Sequence, residues 1–135
     1  QKTNQIFTPK HIVKQMVDLL EQENPGCFDD PSKTFADLYM KSGLYIAEIV
    51  KRLFNSNGMK QAYPDKAKRL QHIFEKQVYG LAPTEIIYQI ALHFILGFDD
   101  GNLIRNHHLR QCDALPLAKN GTLESKLDAI FDSIE

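Results

Sequence analysis

Two short stretches combine acidic and small residues in a way that suits ligand contact. The first is Asp37-Leu38-Tyr39-Met40-Lys41-Ser42-Gly43-Leu44-Tyr45, a carboxylate followed by one glycine at the start of a helical apolar pattern. Glycine at such a turn lets backbone approach a ligand, and a helix N-terminus favours negative charge. Asp37 also closes an apolar run, where an unpaired carboxylate is costly and calls for a partner. The second stretch is Gln111-Cys112-Asp113-Ala114-Leu115, in which Asp113 either accepts a hydrogen bond from a ligand amine or caps a turn. Neither stretch contains GxGxxG, or GxxxxGK followed by Ser or Thr. That speaks against a nucleotide-dependent dehydrogenase or a phosphate loop.

Other candidates carry less chemistry. His107 and His108 are adjacent, and neighbours on a strand point to opposite faces, so they do not share a metal ion. Cys27 and Cys112 lack CxxC spacing and read as free thiols in a reducing, cytoplasmic compartment. Lys66, Lys68, Arg69 and Lys76 form a basic cluster, read either as a solvated helix face or as a phosphate contact. His11 and His72 read as solvated or interface residues, and His93 as a partly buried one. Tyr39 and Met40 fit pocket wall or core equally well.

The elements that must position these residues follow from periodicity. Thr8-Pro9 suits a helix start, with Thr8 as cap and Pro9 at the first helical position. Ile12, Val13, Met16, Val17 and Leu20 continue it at helical spacing to about Glu21. Lys33–Leu38 reads as a buried strand, and Leu44–Phe54 as a helix stopped by Asn55-Ser56-Asn57-Gly58. Pro64-Asp65 opens a helix to about Phe74, and Gln77–Leu81 is a second strand. A strong helix follows Pro83-Thr84, with Ile86, Ile87, Ile90, Ala91, Phe94 and Ile95 closed by Gly97. His108–Cys112 is a weaker strand, and Gly121-Thr122 precedes a last helix through Ile130. This alternation implies an α/β fold with about three parallel strands flanked by helices. Ligands in such sheets sit beyond the carboxyl ends of the strands. One crevice should therefore collect Thr8, Asp37, Gly43, Ala82 and Asp113.

With 135 residues, the chain suits one domain. A formal charge of −1 argues against a free-standing nucleic-acid binder. The longest mostly apolar stretch, Ile86–Leu96, is too short to span a bilayer. The chain begins at Gln1 rather than Met, and is read as a piece of a longer protein.

Taken in order, four segments resemble the cofactor motifs of adenine-specific DNA methyltransferases of bacterial restriction–modification systems. Phe7-Thr8-Pro9 before a helix is similar to the motif that opens that region. Asp37, Ser42-Gly43 and Tyr45 match an acidic residue, a glycine turn and an aromatic. Val78, Gly80 and Leu81 match the second strand, and Asp113-Ala114-Leu115 the third. The resemblance implies a partial Rossmann-like methyltransferase fold that binds S-adenosylmethionine, in a parent protein that acts on DNA. It puts Thr8-Pro9 and Asp37 near the methionine part of the cofactor and Ser42-Gly43 against it as close backbone, and it counts Phe7 among the cofactor-binding residues. It gives Asp113 the adenine amino group and Ala114 the ring.

The departures from the pattern are informative. Lys41 stands where the first glycine of the turn is usual. Ala82, followed by Pro83, replaces the acid that holds the ribose hydroxyls, which implies weaker binding. The polar-Pro-Pro-aromatic segment of methyl transfer is absent, so this chain by itself is expected to be inactive. The rival reading is a non-catalytic interaction or scaffolding module that keeps the fold and has lost the cofactor. An unfinished sheet is also expected, with Thr34–Leu38 as an open edge. A homodimer through that edge, or its covering by Leu123–Ile134, would follow.

Overall fold

The computed structural model describes residues 8–99, 104 and 106–133. Among them, three parallel strands form one sheet in the order β1-β2-β3. These are β1 (Phe35–Asp37), β2 (Val78–Ala82) and β3 (His108–Gln111). Phe35 pairs with Val78 and Asp37 with Gly80; Tyr79 pairs with His108 and Ala82 with Gln111. The α/β class and the parallel sheet are as the alternation of patterns implies. β1 pairs with β2 alone among the described strands, and so it is an edge strand.

The pleat sorts side chains onto two faces. Phe35, Val78, Ala82 and Leu109 point into the main core, shared with α1 (Lys10–Glu23), α2 (Leu44–Asn55) and α5 (Glu85–Leu96). Tyr79, Leu81 and His108 point the other way, against α7 (Leu123–Asp132). There the Tyr79 and His108 rings stack at 4.9 Å, and Phe131 meets Tyr79 edge-on at 5.2 Å. The last helix thus covers a face of the sheet.

Several local expectations change. α1 begins at Lys10, with Pro9 as its cap residue, and no side chain caps it. Thr8 lies outside the helix because the Pro9 carbonyl itself receives the N–H groups of Ile12 and Val13. The polar Asn55–Gly58 run breaks one helix and starts another, α3 (Asn57–Ala62), because the Ser56 hydroxyl accepts the Met59 N–H and Met59 is fully buried. Asp113 likewise starts α6 (Ala114–Lys119). After α4 (Lys66–His72) the chain continues as a π-helical turn, Ile73–Gln77, straight into β2. Fully buried Gln77 donates through Nε2 to the carbonyls of Asp30 and Lys33, holding the approach to β1.

The readings of three basic residues also change. Arg69 leaves the basic cluster: it is 3% exposed, 4.3 Å over the Phe54 ring, and donates to the Tyr63 carbonyl. His72 stacks on Tyr63 at 4.4 Å and meets the Pro31 carbonyl at 2.8 Å. His93, expected to be partly buried, is exposed.

Candidate functional site

A cavity of about 250 Å³ opens at the carboxyl end of β1. Thr8, Val13 and Met16 form one wall. The β1–α2 turn supplies Asp37, Tyr39, Lys41, Ser42 and Gly43, and the first turn of α2 supplies Leu44 and Tyr45. The structure therefore brings together Thr8, Asp37, Lys41, Ser42 and Gly43 from the sequence-derived set, with Pro9 adjoining Thr8. Phe7 lies outside the described residues.

Asp37 is half-buried, and its Oδ1 accepts the Tyr39 N–H at 3.1 Å. Burial raises its carboxyl above the ordinary value, and that hydrogen bond offsets only part of the effect. Among the described residues no basic side chain forms an ion pair with it. The Tyr45 hydroxyl is also raised, first by burial and then by the charge of Asp37. The site thus holds a partly dehydrated carboxylate that a cationic ligand group would stabilise.

The turn itself is tightly specified. Gly43 has φ 90° and ψ 0°, a left-handed conformation that side chains other than glycine adopt at a cost. A Cβ there would come within 3.0 Å of Ile95 Cδ1 and 3.1 Å of the Ala91 carbonyl, so the turn is pressed against α5. Ser42 Oγ accepts the Leu44 N–H at 3.2 Å, serving one of the open donors at the start of α2. Met40 belongs to the core at 1% exposure, whereas Tyr39 is 50% exposed on the cavity wall. That separates two residues which sequence leaves equivalent. Gly80 makes room for Met40, since a Cβ there would lie 2.5 Å from its sulfur.

The neighbouring loops are laced side by side. The Met40 N–H donates to the Leu81 carbonyl at 2.8 Å, and the Cys112 N–H to the Ala82 carbonyl at 2.7 Å. Gln111 Nε2 donates to the Pro83 carbonyl at 2.8 Å. Ala82, Pro83, Asp113 and Ala114 accordingly lie at the same end of the sheet, but they do not line the cavity. Ala82 is fully buried and Ala114 is 1% exposed. Asp113 caps α6 by accepting the Leu115 N–H at 3.3 Å.

The helix bearing the first wall is held from α2. Val13 and Val17 bury one side of α1. Arg52 on α2 reaches Asp18 at 2.8 Å and Glu21 at 3.7 Å across the gap, and Glu48 on its own helix at 2.8 Å. Val13, Met16 and Tyr45 join the cavity only through this docking. Tyr45 carries a sequence signal as the aromatic that follows the glycine turn, whereas Val13 and Met16 read only as members of the apolar stripe of α1. Among the described residues, no group of three or more His, Cys, Asp or Glu stands close enough to hold a metal ion. Among the described residues, no helix is long and apolar enough to cross a membrane.

No family model matches the chain. Over 82 residues it is 27% identical to an uncharacterized adenine-specific methylase of Mycoplasma pneumoniae (strain ATCC 29342 / M129 / Subtype 1). This supports a methyltransferase-like relationship. The match takes in 61% of this chain and 19% of that protein, so the chain spans only a small part of its relative's length.

Proposed function

We propose that the chain is the S-adenosylmethionine-binding region of a DNA adenine methyltransferase, acting on the exocyclic amine within a restriction–modification system. The observation that carries this reading is Asp37, a partly dehydrated carboxylate without an ion-pair partner among the described residues, in a cavity beside the Ser42-Gly43 turn. The order of the four cofactor-like segments and the distant similarity to a methylase support it further. The residues present fit the cofactor's methionine half: Asp37 suits an ammonium, and the Ser42-Gly43 turn lines the same cavity. They fit the ribose less well, because the enclosed Ala82 side chain has no acceptor for its hydroxyls. When bound, the cofactor supplies an activated methyl group. The residues of this chain bind and orient it, and the polar-Pro-Pro-aromatic segment that would receive the target amine is not among these 135 residues. DNA would be a partner of the intact parent.

Titration calorimetry with S-adenosylmethionine tests the reading. Weak binding is expected, and Asp37→Asn should reduce it about tenfold, as loss of a charge-assisted contact does. The second reading, a scaffolding module that has lost the cofactor, is favoured by Lys41 at the cavity wall and by Ala82. It prevails if millimolar cofactor produces neither heat nor a thermal shift.

A further inference from the structure

Helix α5 is apolar on more sides than the core uses. Ile87, Ala91 and Ile95 are buried against the sheet and α2. Ile86, Ile90, Phe94 and the following Phe98 stand four residues apart and are 74%, 43%, 50% and 55% exposed. Ile86, Ile90 and Phe94 form one continuous ridge along the helix, and Phe98 follows in the turn just past its end. Beside it runs a second exposed row, Glu85, Gln89 and His93.

We propose that this face of α5 is a homodimer interface, in which the ridge packs antiparallel against the same ridge of a second copy about a two-fold axis near Ile90. Three observations favour a second copy as the occupant. Ridges of residues four apart interdigitate with one another, so the surface is complementary to itself. The exposed fractions correspond to roughly 400 Å² of apolar surface, with large side chains taken at roughly 150–250 Å² each. A stable dimer buries about 800 Å² per partner, a little over half of it non-polar, so the ridge supplies most of what such an interface requires. An antiparallel arrangement also brings Glu85 of each copy towards His93 of the other, so that the polar rows can pair by hydrogen bonding, the carboxylate accepting from the imidazole N–H. The edge of β1 offers far less: three residues, with Ala36 the exposed side chain among them.

Sedimentation equilibrium on the 135-residue chain at about 100 μM, well above a micromolar dissociation constant, tests the proposal. A dimer is expected, and Ile90→Glu should raise its dissociation constant at least about tenfold by burying a charge in the interface. Because position 90 is exposed in the monomer, the far-ultraviolet circular dichroism of the variant should not change. An independent arm uses Ile90→Cys in a Cys112→Ser background. Mild oxidation should cross-link it into a covalent dimer, while Lys60→Cys in the same background should not cross-link. A wild-type monomer at that concentration would overturn the proposal. So would a dimer indifferent to Ile90→Glu, which would place the contact elsewhere, the β1 edge included.

Discussion

Replacing Gly43 by alanine separates two costs that the structure superimposes at the candidate site. The backbone there has φ 90°, and placing an L side chain in the left-handed region costs roughly 1–2 kcal/mol. The added methyl also meets Ile95 Cδ1 at 3.0 Å and the Ala91 carbonyl at 3.1 Å. A side chain can give way, but a carbonyl inside a helix is held by its own hydrogen bonding, so an overpacking cost of about 1–3 kcal/mol is added. Alanine recovers a few tenths through the unfolded chain. The net expectation is a loss of about 2–4 kcal/mol. Gly26 provides the control: φ is 79°, and nothing lies within 4 Å of a Cβ there. Gly26→Ala should cost only the backbone part, about 1 kcal/mol after the unfolded-chain gain. Urea denaturation of both variants with unchanged m-values measures the difference. Ile95→Val, which removes the nearest atom, should cost less in the Gly43→Ala background than alone. Equal losses in the two alanine variants, with Ile95→Val additive, would refute the claim that contact with α5 shapes the turn.

Three further outcomes are expected. Arg52→Met leaves Glu48, 8% exposed, without its guanidinium and releases α1, at about 2–4 kcal/mol by thermal or urea unfolding; adding Glu48→Gln should recover the part due to the stranded carboxylate and leave the loss of the contacts to α1. Burial raises the Asp37 carboxyl in the folded state, so ionising it opposes folding and stability falls as pH rises through that raised range; Asp37→Asn should therefore stabilise the free protein at neutral pH while weakening cofactor binding, and equal or lower stability would count against its dehydration. His107 is pushed down to about 4, first by burial and then by Arg110, and its Nδ1 accepts the Leu109 N–H at 3.1 Å. The unfolded chain binds its proton first, so this contribution to stability is present above pH 6.5 and is lost on acidification towards 4. Urea midpoints of His107→Gln should show a flatter decline over that window than the parent.

The order of helices and strands was legible because their periods of 3.6 and 2 are local properties of the chain. The β1–α2 turn was legible for a similar reason: a carboxylate, a hydroxyl and a glycine in sequence are enough to cap a helix and reverse the backbone. Short α3 and α6 escaped because their caps, Ser56 and Asp113, are also turn residues, and only the burial of Met59 and Ala114 tips the balance to helix. Arg69 reads as one of a row of surface cations, and only the arrival of Phe54 against its helix buries it. Sequence gives Ile86 and Ile87, or Phe94 and Ile95, the same character; the placement of α5 on the sheet turns one of each pair inward. The cavity is the clearest case. Asp37 and Gly43 could be named from their types, but Val13, Met16 and Tyr45 become its walls only where α1 docks against α2, a non-local packing choice governed by shape and by the reach of Arg52.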